Sequence, residues 1–161
     1  FALPEALCQL HFMGLGPLAQ AFFTTKLAGA IFAGIILVAR SAATVVGTLR
    51  LQSCCPRAID IMRFTPVRQP LYVVDVAVHP DRQRQGIGRR LLAEAAEAAR
   101  AWPGNSIRLH VYDHPAGAGG FYRACHYREV AQVTYHDVRL LYFELLLQPP
   151  RASRRRTVHN D

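Results

Sequence analysis

The sequence predicts a single α/β domain, layered in the α+β manner, and three observations carry that prediction. Apolar periodicity switches repeatedly along the chain between the two-residue spacing of strands and the 3.6-residue spacing of helices. A near-continuous apolar run at 72–78 has the character of a central strand covered on both faces. The 161 residues, 51% of them hydrophobic, suffice for one core, since a domain of this size hides roughly 70% of its unfolded surface. The same arithmetic excludes a disordered polymer, sets one domain at residues 1–148 and leaves a basic, flexible tail at 149–161.

Taken in order, the first element is the most ambiguous. Residues 18–39 are mostly apolar, long enough for a membrane span, which needs about 20 such residues. Lys26 inside the run, the small Ala28-Gly29-Ala30 and the β-type Ile35-Ile36-Leu37-Val38 argue instead for a buried helix at 17–32 and a strand at 35–40, with no membrane span. A short turn at Ser41-Ala42-Ala43 leads into a β-branched strand at 44–51, completing a hairpin. Residues 54–70 hold three prolines and read as loop. The strand at 72–78 stops at His79-Pro80-Asp81, because proline cannot continue a ladder. From 88 to 102, Leu91, Leu92, Ala95, Ala99 and Trp102 share one helical face, and Pro103-Gly104 ends that helix. A strand at 107–112, a weak helix at 116–124 and a hairpin of strands at 130–135 and 138–147 complete the order.

Charge and cysteine narrow the function classes. The net charge is +8, and of the 19 basic residues only Lys26 is lysine, so the positive charge is almost wholly planar, permanently ionised guanidinium. Arg82, Arg84, Arg89 and Arg90 form one acid-free cluster, and Arg151, Arg154, Arg155 and Arg156 form another in the tail. A phosphate-bearing small ligand, a nucleic acid and an acidic surface all suit such clusters. Cys8, Cys54, Cys55 and Cys125 show neither C-x-x-C nor zinc spacing, so no metal site or disulfide framework is expected and a reducing compartment is the simpler setting.

The segment from Val78 to Leu92 carries the chemistry: a strand runs through a basic turn with two glycines into an amphipathic helix. Glycines let successive N–H groups converge, and the helix start adds unpaired N–H groups and its positive dipole end, a cradle for phosphate. A P-loop would need Gly-Lys-Ser/Thr where Gly88-Arg89-Arg90 stands. The dinucleotide fingerprint would need a small residue at Leu91. What fits is Gln/Arg-x-x-Gly-x-Gly/Ala, present as Gln83-Arg84-Gln85-Gly86-Ile87-Gly88 directly after Val-Ala-Val-His-Pro. Together with Leu109-His110-Val111-Tyr112 and Phe121-Tyr122-Arg123-Ala124-Cys125-His126-Tyr127, this resembles the GCN5-related N-acetyltransferase (GNAT) family over residues 38–147. The family's first strand is only partly visible in residues 1–32 and is expected upstream of Phe1.

The resemblance implies a mixed, mostly antiparallel central sheet flanked by helices and splayed at the cofactor site, with acetyl-CoA as co-substrate and no metal. It implies that the backbone of Val76, Ala77 and Val78 holds the pantetheine arm. The turn residues Arg84, Gln85, Gly86, Ile87, Gly88 and Arg89 would hold the pyrophosphate, with the neighbouring arginines at the coenzyme's further phosphate. Tyr72 and His110 match the base pair of the subgroup acting on protein N-termini, to which the catalytic positions are most similar. Tyr122 matches the tyrosine that stands beside the coenzyme sulfur and donates a proton to the leaving thiolate, and Tyr135 is the acceptor-side candidate. Asp75 and His79 stand in reserve as acid–base groups, and Cys125 lacks a paired base for a covalent route. Pro115 stands where the family has asparagine, and Gly117, Gly119 and Gly120 weaken the last helix. His126 replaces the usual glycine before the aromatic, a residue type tolerated at positive φ.

The expected function is transfer of acetyl from acetyl-CoA to a primary amine in a ternary complex. A protein N-terminus comes first as acceptor, lysine second and a small amine third; the short turn at His136-Asp137 leaves the acceptor groove open. An α-amine, with pKa near 7.7–8.0, is far easier to deprotonate at neutrality than lysine at about 10.4. The readings left open are a non-catalytic adaptor of the same fold and a polyanion or ribosome contact through the tail, whose affinity would fall steeply with salt. Localisation is expected in a reducing compartment, the cytoplasm or an organelle such as a plastid.

Overall fold

In the computed structural model the described residues are 7–9, 22–27, 34–102 and 104–147, the side chains from Gly34 onward. The elements run β1 (Leu7–Gln9), β2 (Phe22–Leu27), β3 (Gly34–Ser41), β4 (Thr44–Gln52), β5 (Pro70–Val78), α1 (Ile87–Ala101), β6 (Ser106–Tyr112), α2 (Gly119–Ala124), β7 (Arg128–Tyr135) and β8 (Val138–Leu146), with 3-10 turns at Ile61–Arg63 and Pro80–Arg82. They form one sheet in the order β1-β2-β3-β4-β5-β6-β8-β7, antiparallel throughout except for β5 and β6. The mixed, mostly antiparallel sheet with flanking helices is the architecture expected. The basic tail at 149–161 lies outside the described residues.

The helix expected at 17–32 is overturned where the chain is described: Phe22–Leu27 is a strand, paired from Phe22↔Ala39 to Leu27↔Gly34. Phe22, Phe23, Thr24 and Thr25 are aromatic or β-branched, and the open edge of β3 offers them a ladder; apolar period alone does not separate the two outcomes in a short buried run. Among the described residues no helix is long and apolar enough to cross a membrane. The helix expected at 116–124 is also shorter, because Pro115 to Gly117 form a turn, closed by Gly117 N–H on the His114 carbonyl at 2.7 Å, before α2 begins.

Alternation explains the strands around the core. Ile35, Leu37 and Ala39 of β3 and Leu49 and Leu51 of β4 are buried, and Ile87, Leu91, Leu92, Ala95, Ala96 and Ala99 of α1 pack with them. Each fully buried leucine contributes about 1.5–3 kcal/mol relative to exposure. The helix lies close to the sheet at Gly47, where a Cβ would come within 2.9 Å of Ile87 Cγ2 and 3.2 Å of the Ala77 carbonyl and Leu91 Cδ1. A Gly47→Val substitution is therefore expected to lower stability by about 1–3 kcal/mol through overpacking, read as a lower urea midpoint.

The opposite face carries a smaller core of Ile59, Phe64, Tyr72, Leu140 and Tyr142 beneath the segment between β4 and β5. That segment is a loop, as expected, but it is pinned. Tyr142 donates its hydroxyl to the Ala58 carbonyl and accepts the Asp60 N–H, and Phe64 stacks on the Tyr142 ring with centroids 5.3 Å apart. Glu144, 1% exposed, accepts from Thr65 N–H at 3.1 Å and Thr65 Oγ1 at 2.6 Å and pairs with Arg128.

Candidate active site

The site is built where the sheet opens. The parallel ladder between β5 and β6 spans only Pro70↔Ser106, Leu71↔Ile107 and Tyr72↔Arg108; beyond it β5 continues to Val78 and β6 to Tyr112 without pairing. The predicted splay is present. On its other side β5 is bulged: Arg50 pairs with Asp75 but Leu51 with Val73, leaving Val74 unmatched. The bulge inverts the side-chain alternation, so Leu71 and Val73 and then Val76 and Val78 all pack toward the α1 core.

After β5, His79 Nδ1 accepts the Asp81 N–H at 3.3 Å and Gln83 Nε2 donates to the Val78 carbonyl at 3.2 Å, folding the chain back on itself. Arg84 at φ 59° and Gly86 at φ 83° then turn the backbone in the left-handed region, which glycine enters freely. Gly86 caps α1 without any side-chain hydrogen bond, so the first N–H groups of the helix remain available to a ligand. They border a cavity of 680 Å³ whose wall includes Val76, Val78, Arg84, Gly86, Ile87, Gly88 and Arg89. Uncapped N–H groups, a left-handed turn and two arginines fit a phosphate-bearing ligand.

Two of the expected residues stand outside that wall. Ala77 is on the other face of β5, paired with Thr48, and the Gln85 side chain turns back to the Asp81 carbonyl. Arg90 is likewise drawn off the rim by Glu94, one helical turn away, at 2.9 Å. Gln83 and Phe121, part of the quoted motifs but given no role there, also line the cavity, as does Ala118, which the sequence did not single out. Phe121 sits against Gly88, where a Cβ would be 3.1 Å from its Cζ.

Tyr122 lies beside that wall in an aromatic cluster with Phe121, Tyr127 and Phe143 at centroid separations of 5.2–5.9 Å. Burial, with a smaller effect of Cys125, pushes its phenol up to about 12, so it stays protonated. Burial also raises the Cys125 thiol against the lowering influence of Arg89, which leaves no activated nucleophile there.

His110, Tyr72 and Arg108 share the opposite face. His110 is the register partner of Tyr142 and stands two residues beyond Arg108, the partner of Tyr72. Burial lowers the His110 pKa from its ordinary value, so the imidazole is neutral at neutral pH. Tyr72 is 2% exposed, and its hydroxyl accepts from Arg108 Nη1 at 3.4 Å. Burial and the adjacent Cys55 thiol raise its pKa, outweighing Arg108. Arg108, 3% exposed, also donates to the Thr65 carbonyl at 2.6 Å and lies over the Phe64 ring at 4.9 Å, and nothing in the sequence pattern signalled it.

Tyr135 borders a second cavity of 470 Å³, walled by the 57–63 stretch and β7 and floored by Tyr142. The reserve acid–base groups are committed elsewhere, Asp75 to Arg50 at 2.7 Å and His79 to its turn. No cluster of metal-ligating groups occurs among the described residues. His126 adopts φ 65°, as expected of the residue replacing glycine.

Comparison with known proteins agrees with this geometry. The family model described as an acetyltransferase (GNAT) domain matches residues 33–129. Comparison with curated protein sequences returns no match. Among solved structures, an aminoglycoside 6'-N-acetyltransferase complexed with coenzyme A superposes with TM-score 0.58 at 14% identity, covering 74% of this chain and 76% of its own. Arabidopsis thaliana NAA60 in complex with a bisubstrate analogue does so with TM-score 0.59 at 15% identity, covering 70% and 75%. The ribosomal-protein-S18-alanine N-acetyltransferase from Escherichia coli gives TM-score 0.54 at 17% identity, covering 79% and 76%. At these identities the structures share a fold with this chain and no more. The family model, spanning more than half of the residues and centred on the Gly86 turn and the β5–β6 gap, shows that the chain belongs to the GNAT acetyltransferase family.

Proposed function

We propose that the chain is an acetyl-CoA-dependent N-acetyltransferase whose main acceptor is the α-amine of a protein N-terminus. The observation that carries this reading is the gap between β5 and β6, with the uncapped turn toward α1 on one face and neutral His110 on the other. When bound, acetyl-CoA supplies a thioester already activated for acyl transfer. The Arg84–Gly88 main chain and the Arg89 guanidinium hold its phosphates, and the free edge of Val76 to Val78 holds the pantetheine arm. His110 takes the amine proton, through water where it is not in direct reach. Tyr72 keeps its proton, and its hydroxyl, enclosed between Arg108 and the Cys55 thiol, braces Arg108 two residues before His110 rather than reaching that water. Tyr122 is protonated at neutral pH, because burial pushes its phenol up to about 12, so it faces the leaving sulfur as a hydrogen-bond donor. Its contribution is a hydrogen bond to the leaving sulfur.

Peptides with free or blocked N-termini, offered with acetyl-CoA, test the reading. Acetylation is expected only where the α-amine is free, mapped by mass spectrometry. Exclusive modification of internal lysines, or of small amines alone, overturns the acceptor, and failure to bind acetyl-CoA in calorimetry favours an adaptor.

A further inference from the structure

The second cavity has a chemistry of its own. Its floor, Tyr142, is the register partner of His110, so the groove begins one strand away from the proposed base. One wall is the 57–63 stretch, held in place by the Tyr142 hydroxyl on Ala58 and Asp60; the other is β7, the last strand of the sheet. The turn His136-Asp137 is tight, with both residues in the left-handed region, and its shortness leaves the groove open at that end.

The charges inside are unequal. Arg57 and Arg63 face a single acid, Asp60, and that acid is spent: Oδ1 accepts the Met62 N–H at 3.0 Å and Oδ2 pairs with Arg63 Nε at 3.3 Å. Arg57 makes no hydrogen bond or ion pair with any described residue, and its backbone neighbour Ala58 is the one Tyr142 pins. The groove therefore presents one exposed guanidinium with no partner among the described residues, across from the Gln132–Tyr135 wall of the last described strand. A polycationic small amine is repelled by this arrangement, whereas a carboxylate is paired by it.

Resting on the acceptor reading above, we infer that this groove selects acceptor polypeptides with acidic side chains in the few residues after the reacting amine, and that Arg57 is the residue that reads them. The substrate class is an N-terminus followed by aspartate or glutamate.

The test uses two peptides with the same free N-terminal residue, one with glutamates and one with serines at the following positions, acetylated by the full chain and by the Arg57→Glu variant. Arg57 is exposed, so the variant is expected to fold. The acidic peptide should show a KM about three- to fivefold lower with the native protein, an advantage shrinking with added salt and reversed in the variant, at unchanged kcat. Peptide affinity measured separately by fluorescence anisotropy should follow the same order. Equal KM and affinity for the two peptides, or a preference that survives Arg57→Glu, overturns the inference while leaving the acceptor reading intact. Arg57-dependent binding of the acidic peptide without acetylation of either peptide overturns the acceptor reading and leaves the groove's selectivity standing.

Discussion

Replacing His110 with glutamine is expected to lower kcat/KM by about 100- to 10,000-fold, the range that a positioned general base supplies, with thermal stability and acetyl-CoA affinity close to native. Glutamine keeps a polar side chain of similar reach on β6 but cannot take a proton. The pH dependence separates this from a packing effect. Burial lowers the His110 pKa below its usual 6.5, so the free base prevails at neutral pH and is lost only as pH falls through that lowered value. The native kcat/KM profile should thus carry two acid-side limbs, one below 6.5 from His110 and one near 7.7–8.0 from the α-amine of the acceptor. Only the second should survive in the variant. A native-like lower limb in His110→Gln would remove His110 from the chemistry.

The second large effect is on stability. Glu144→Ala is expected to cost about 2–4 kcal/mol, a major share of the roughly 5–15 kcal/mol available to a domain. The substitution strands the Thr65 N–H and hydroxyl and opens a void where the side chain was buried. The loss stays below that of a fully buried pair because Arg128 is largely exposed and water can take up its charge. Loosening of the Thr65 anchor should also weaken acceptor binding, since the same segment walls the groove. Burial by itself disfavours ionised Glu144, but the hydrogen bonds from Thr65 and Arg128 outweigh it and lower its pKa. Its stabilisation is therefore complete above the ordinary glutamate value of about 4.3 and is lost as pH falls through the lowered folded-state value. Urea midpoints of the native chain should drop across that acid window more steeply than those of Glu144→Gln.

What could be read in advance was local. The His79-Pro80 stop, the Gly86 turn and the α1 stripe of Leu91, Leu92, Ala95 and Ala99 each depend on residues a few positions apart, and all appear where expected. The β5 bulge could not be read, because an apolar run from Tyr72 to Val78 with little alternation contains no record of where alternation slips. Strand β2 is not legible in its own residues because its ladder is provided by β3 rather than by anything in its own period. The Arg108, Thr65 and Glu144 network joins positions far apart in the chain, and an arginine on a strand gives no sign that it will be covered. The clearest instance is Tyr72, whose place was legible but whose enclosure by Arg108 and Cys55 follows from the 53–69 segment folding back over it.

The gap between β5 and β6 has a consequence for handling as well as for chemistry. A sheet that parts in its middle exposes main-chain donors and acceptors on two inner borders, the kind of surface on which a foreign strand can dock. A pantetheine arm lying against β5, as proposed above, would satisfy one of those borders in the manner of a missing strand. The coenzyme-free protein is therefore expected to scatter more light on storage than the protein kept with coenzyme A, which would occupy the place an intruding chain takes.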